Sequence, residues 1–238
     1  MPVTIHPLHG WDLTPADAIK LQRELAVQVI DTQPLPLDAL TLVGGVDVSV
    51  KDNVSQAAVV VLTYPDLRLV EAVTASIPTP FPYIPGLLSF REGAVILDAM
   101  QKLDATPDVF IFDGAGRAHP RRIGIASHVG LFIDVPTVGC AKSWLIGQHA
   151  ELPPGKGAWV PLQDKGDTIG VMLRTRDNVK PVYISPGHRA TLDTARELVL
   201  RTTTRYRLPE PIRAAHNTAG GLDPSGLARD SDGQLSLF

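Results

Sequence analysis

Three carboxylates occupy positions where their residue types call for an explanation. Asp47 lies in GGVDVSV, between Val46 and Val48 of an apolar run. Aspartate is disfavoured in strands, and strict alternation turns its side chain away from the face of its two neighbours. Asp113 ends the apolar stretch Val109–Phe112 in DVFIFDGAGRAHPRR, just before Gly114, Gly116, His119, Arg121 and Arg122. Glu92 follows Arg91 in a segment with helical character. Brought together, three carboxylates repel one another unless a cation sits among them. An oxygen-only donor set selects a hard ion, Mg²⁺ with Mn²⁺ as a substitute. Two such ions about 3.5–4 Å apart support in-line displacement at phosphorus. Each carboxylate also has an ordinary reading: a solvent-facing strand residue, an exposed helix residue, and a turn former after a strand. Only their assembly would make them a site.

The elements that would assemble them are legible in outline. Thr14-Pro15-Ala16-Asp17 starts a helix, with a capping Thr, Pro in the first turn and then an acid; Leu21, Leu25 and Val29 carry it to about Ile30. Residues 41–50, 57–62 and 67–77 read as three successive strands, a β-meander with Asp47 in the first. PTPFPYIPG, at 78–86, holds four prolines and is neither helix interior nor central strand. A helix over 86–103 carries Arg91 and Glu92, and the strand 109–112 ends at Asp113. Beyond it come a short helix at 123–133, a strand at 136–140 leading to Lys142, a hairpin over 159–173, a strand at 182–185, and helices at 191–201 and 209–217. The order places Asp47, Glu92 and Asp113 at one face of a sheet. Binding sites of open α/β sheets lie at such strand ends.

The chain has 238 residues, 44% hydrophobic, with a formal net charge of −3. That suits a sizeable core and excludes a protein that is basic overall. A nucleic-acid partner would have to be met by a local patch. Charge is polarised along the chain: residues 174–213 hold nine Arg or Lys against four Asp or Glu, whereas residues 1–60 hold three against seven. Cys140 is the only cysteine, which excludes an intramolecular disulfide and cysteine-rich zinc sites. With neither a signal-peptide pattern nor a membrane-spanning apolar run, the expected location is the cytoplasm.

GGVDVSV, PYIPGLLSFRE, FDGAGRAHPRRIGIASHVG, GCAKS, SPGHR and LPEPIRAAH, in that order, resemble the endonuclease V family, and the likeness covers most of residues 12–217. It implies a ribonuclease H-like α/β fold: a mixed sheet, a three-strand antiparallel meander plus parallel strands, flanked by helices. It implies a metal-dependent endonuclease, a monomer, acting on deaminated adenine in DNA containing deoxyinosine or in inosine RNA. Such an enzyme hydrolyses the second phosphodiester bond on the 3′ side of the lesion, in DNA repair. The family's acidic residues fall on Asp47, Glu92 and Asp113, its variable fourth metal-site residue on His216, its lysine on Lys142, and the histidine of its glycine-rich motif on His119. Metal ligation therefore falls to Asp47, Glu92, Asp113 and His216, and catalysis to the three acids with Lys142 and His119. Two departures, Ala115 between the glycines and the large Arg117, bear on local loop contacts.

The remaining pieces gain a reading from this likeness. Prolines stiffen a loop at low cost, and Pro82-Tyr83-Ile84-Pro85 matches the family's wedge, which fills the space left by an extruded base. Arg91 joins the substrate-binding set. Deamination replaces adenine's amino donor with a carbonyl acceptor, so backbone N–H groups of a pocket would accept hypoxanthine and be left unpaired by adenine. Gly114, Gly124 and Ile125 are the candidates for that pocket. His119 would bind phosphate or assist proton transfer, and Arg121, Arg122 and Arg189 would contact phosphates.

Residues 1–217 read as one nuclease domain, and 218–238 as a flexible tail. The tail ends Gln234-Leu235-Ser236-Leu237-Phe238, which is similar to the short motif with which bacterial repair and replication proteins dock on the sliding clamp. Two other functions remain open at this stage: a structure-specific or inosine-RNA-directed nuclease on the same fold, and a catalytically inactive nucleic-acid-binding module.

Overall fold

A computed structural model describes residues 2–222. The proposed clamp motif, Gln234 to Phe238, lies outside the described residues. Helix α1 spans Pro15–Ala26 and is capped as its sequence predicts, the Thr14 hydroxyl accepting from the Asp17 N–H. It ends four residues earlier than the periodicity predicts. Ile30 is instead bonded elsewhere, its N–H to His188 Nδ1 and its carbonyl to the Arg189 N–H, so tertiary bonds draw the chain off the helix.

The strands β1 (Leu42–Lys51), β2 (Val54–Thr63) and β3 (Leu69–Pro78) form the antiparallel meander. Helix α2 is Leu88–Met100, β4 Val109–Phe112, α3 Ile125–Ile133 and β5 Thr137–Ala141. The predicted hairpin is β6 (Trp159–Asp164) with β7 (Asp167–Leu173); β8 is Val182–Pro186, α4 Leu192–Arg201 and α5 Glu210–Ala219. Helix α5 runs two residues beyond its expected end at Asn217, into the stretch read as tail. The eight strands of the described residues join one sheet, ordered β3-β2-β1-β4-β5-β8-β7-β6. The core β1-β4-β5 is parallel, β8 lies antiparallel to β5, and the hairpin extends the same sheet.

Both faces of the sheet are covered, so β4 is apolar at every position. Val109 and Ile111 join β1, β5 and β8 residues under α4 and α5, with Leu198 and Ile212 among them. Phe110 and Phe112 face the other way, onto Ile96 of α2 and Val129 and Phe132 of α3. The register then aligns the acids. Val46 is level with Phe112 in the parallel β1–β4 ladder, and the Asp113 N–H continues it to the Val46 carbonyl. The next residues, Asp47 and Asp113, stand side by side at the carboxyl end of β4.

Helix α5 reaches this sheet end because β1 has no side chain at Gly45. A Cβ there would fall 1.9 Å from the Pro211 carbonyl oxygen, so the helix backbone rests directly on the strand. That contact carries His216 over Asp47.

Candidate active site

Five elements deliver the acidic side chains and their partners, α2 among them with Glu92. Asp47 comes from β1, Asp113 from the residue after β4, Lys142 from the residue after β5, and His216 from α5. Asp47 is 9% exposed. Its Oδ1 accepts from the Val48 N–H at 2.9 Å, and its Oδ2 lies 2.6 Å from His216 Nδ1. The Lys142 ammonium pairs with Asp113 Oδ2, and stands 3.9 Å from Asp47 Oδ2 and 3.4 Å from His216 Nδ1. Glu92 faces the group from α2. Burial first, then the charges of Asp47 and Asp113, push its carboxyl up to about 8. Burial and the charge of Asp47 push Asp113 up to about 6, against the pull of Lys142. The carboxylates are thus close enough to resist sharing their negative charge.

Among the described residues, no set of three His, Cys, Asp or Glu side chains converges closely enough to coordinate an ion in this arrangement. The donor chemistry nonetheless fits a hard divalent cation: three carboxylate oxygens and one imidazole, partly desolvated, with an ammonium as the present counter-charge.

The acids open onto a cavity of about 330 Å³, bordered by Tyr83, Ile84, Pro85, Gly86, Gly114, Gly124, Ile125 and Lys142. Tyr83 projects from its rim, 69% exposed. The loop behind it is held at one atom. The Gly86 carbonyl accepts from Gln22 Nε2 (3.1 Å), His119 Nε2 (2.9 Å) and an Arg121 guanidinium nitrogen (2.6 Å). Gly86 has φ +80°, and a Cβ on it would sit 2.8 Å from that guanidinium. Arg121 is fixed in turn by its Nε donating to Gln22 Oε1 at 2.5 Å. Arg91 donates to the Phe81 carbonyl at 3.0 Å, anchoring the other end of the loop. Gln22 and Arg121 are the anchors that sequence reasoning missed as such: Gln22 is a helix residue whose only signal is its complete burial, visible once the chain has folded.

Several of the expected site residues have partners within the fold. His119 is buried with both nitrogens engaged, Nε2 on Gly86 and Nδ1 accepting from the Arg121 N–H. Burial, with Arg121 close by, pulls its imidazole down to about 4. It holds the loop in place and borders the same cavity as the acids. The Gly114 N–H donates to the Phe112 carbonyl and the Gly124 N–H to the Gly116 carbonyl, so neither is a free donor for a base. What these glycines supply is closeness: a Cβ on Gly114 would meet Ile125 at 2.5 Å, and one on Gly124 the Ala115 carbonyl at 2.2 Å. Ile125 opens α3, where a first-turn N–H has no intrahelical partner. Arg122 pairs with Asp164 at 2.9 Å and Arg189 with Asp134 at 2.6 Å. Arg117, the bulky departure, is accommodated by Asp31 at 2.5 Å.

A ribonuclease H-like sheet with paired aspartates at the end of its central strands, beside a glycine-walled cavity, defines a nuclease of that fold class. The family model for endonuclease V matches residues 23–217. An endonuclease V of Trichormus variabilis is 51% identical over 217 residues, covering 90% of this chain and 98% of the relative. The crystal structure of a Streptomyces avermitilis endonuclease V is 39% identical with a TM-score of 0.85, over 93% of this chain and 97% of that one. A Ciona intestinalis endonuclease V, in complex with a 24mer DNA containing an inosine followed by a ribo-adenosine, is 28% identical with a TM-score of 0.75, over 87% and 95% of the two chains. The chain belongs to the endonuclease V family. Among the described residues, no helix is long and apolar enough to cross a membrane.

Proposed function

We propose that this chain is a metal-dependent endonuclease that recognises inosine in nucleic acid and hydrolyses the second phosphodiester bond on its 3′ side. One observation carries the reading: the acidic group and the stiff Pro82–Gly86 loop border the same cavity. A nucleotide extruded into that cavity has its backbone beside the acids while Tyr83 stands over the rim. The Ciona relative's inosine-containing DNA supports the choice of base.

Asp47, Glu92, Asp113 and His216 would hold the Mg²⁺ or Mn²⁺. The ion supplies charge neutralisation at phosphorus and an acidified water. The chain's own residues do the rest. Lys142, alongside Asp113, contributes a positive charge toward a phosphate oxygen. Tyr83 fills the gap in the base stack, and the Ile125 N–H offers a donor to the hypoxanthine carbonyl. Gly114 and Gly124 let the cavity wall approach the flat base. Residues up to Ala219, the end of α5, form the nuclease unit of this reading, and residues 234–238 dock on a sliding clamp.

The test is cleavage of matched oligonucleotides carrying one inosine in a DNA or an RNA backbone, with and without Mg²⁺. The expected product is a single cut at the second 3′ bond, only with the metal and only with inosine. Metal-independent cutting, or equal cutting of adenine controls, overturns the reading. The two backbones rank DNA against RNA.

A further inference from the structure

The segment before α1 crosses the outer side of α2 and α3 as a strap. The His6 N–H donates to the Phe132 carbonyl at 2.6 Å. Trp11 stacks on Phe132, ring centroids 5.3 Å apart, and lies so close to Gly93 that a Cβ there would be 2.3 Å from the indole. His9 is held between Trp11, Phe132 and His128, with centroids 4.8–5.0 Å away.

A chain of hydrogen bonds runs inward from His9. Its Nδ1 is 2.7 Å from the Gly10 carbonyl, and its Nε2 is 2.8 Å from His128 Nε2. His128 Nδ1 is 2.9 Å from Ser89 Oγ. Ser89 is buried in the first turn of α2, and it borders the cavity.

The direction of every bond in this chain follows from its outer end. A carbonyl only accepts, so His9 Nδ1 carries a hydrogen. Burial lowers His9 from the usual histidine range; burial, with His9 and His119 nearby, takes His128 down to about 3. Both rings are therefore neutral near pH 7. A neutral His9 protonated at Nδ1 has a bare Nε2, so His128 must donate from its own Nε2. That leaves His128 Nδ1 bare, and the Ser89 hydroxyl must donate to it. Ser89 then has only lone pairs to offer anything else.

We propose that His9 and His128 fix Ser89 as a hydrogen-bond acceptor toward the cavity, and that Ser89 selects a purine whose ring nitrogen N1 carries a hydrogen. Hypoxanthine has that N1–H. Adenine has a bare N1, which would set lone pair against lone pair. His9 and His128 are positioning residues, and Ser89 is the residue that reads the base. The inference rests on the cavity being the base pocket of the proposed function.

Two measurements test it. In the free full-length protein near neutral pH, ¹⁵N imidazole spectra should show His9 protonated at Nδ1 and His128 at Nε2. A hydrogen on His128 Nδ1 overturns the proposal with no variant involved. The second measurement is the affinity ratio for duplexes carrying inosine or adenine at one position, read without turnover in the Asp113→Asn background. Ser89→Ala should lower that ratio about tenfold, the scale of one lost hydrogen bond. His9→Phe, which keeps the ring contacts and removes the nitrogens, should lower it in the same direction. His9→Gln, whose amide both donates and accepts, should restore it. An unchanged ratio in Ser89→Ala overturns the assignment. Tyr83→Ala separates the two failures: if it lowers the ratio while Ser89→Ala does not, only the Ser89 reading falls; if neither does, the base-pocket reading falls with it.

Discussion

The two halves of the cavity are built on opposite principles. The loop half is over-determined. One carbonyl, that of Gly86, takes three donors from three side chains, and Arg91 fixes the start of the same loop. The groups that anchor it are satisfied by one another. The acidic half is under-compensated: Asp47, Glu92 and Asp113 face one another with the Lys142 ammonium as counter-charge, and two of the acids are pushed well above the usual carboxylate range. The scaffold holds these carboxyl groups together against the repulsion of their ionised forms. Under the proposed function, the difference divides the labour: recognition in the half that is already in its final shape, chemistry in the half that a cation would complete.

The contrast breaks most sharply at the acids. Asp113→Asn should lower cleavage by about 10³-fold, the scale of losing a principal electrostatic group, while inosine-dependent binding stays within a few-fold in a titration of labelled duplex. Full activity in this variant removes the acidic half from the mechanism. In the loop half the cost moves from rate to stability. Gly86→Ala places a side chain at φ +80° against the Arg121 guanidinium. It should cost about 2 kcal/mol and lower Tm by about 4–8 °C, and a calorimetric scan checks it. A melt unchanged from the native protein would show that the loop is not held as described.

Tyr83→Ala probes the loop's exposed tip without touching its anchors. Binding of an inosine duplex should weaken about tenfold, the scale of one stacked base, with Tm unchanged. A lowered Tm and unaltered binding would make Tyr83 a packing residue. The smallest effect concerns His119. Its imidazole is neutral in the fold down to about pH 4, whereas in the unfolded chain it takes up a proton near pH 6.5. The stability it contributes is therefore complete above pH 6.5 and is lost as pH falls from there toward 4. At pH 6 the loss is about 0.8 kcal/mol, or about 2–3 °C in Tm. His119→Gln should abolish that part of the slope, so the difference between the two melting curves across pH 7.5 to 6 isolates it. Parallel curves would mean that His119 is not buried neutral.

The acidic half was the more legible in the sequence. Asp47 betrays itself by interrupting a valine run, and Asp113 by ending one; both signals are local, and the parallel register converts them into neighbours. The meander, the helices and the hairpin follow from periodicity and from punctuation by Pro and Gly. The loop half was only partly legible. PFPYIP announces a stiff loop, but its anchors arrive from Gln22 and Arg121, at separations that no local pattern encodes. Gly114 and Gly124 looked like donors because glycine allows close approach; in the fold their N–H groups close the turn itself. The end of α1 was misplaced for the same reason, since what stops it is a bond to His188.

The seating of α5 on Gly45 has a consequence in time as well as in space. His216 completes the partners of Asp47 across a separation of 169 positions. A chain emerging from the ribosome exposes β1 long before it gains α5. Domains fold as their residues become available, at about 5–20 residues per second of elongation. Until α5 is released, Asp47 lacks its imidazole and the Gly45 groove lies open. A fragment cut short before residue 210 carries every acid of the site without the helix that completes it.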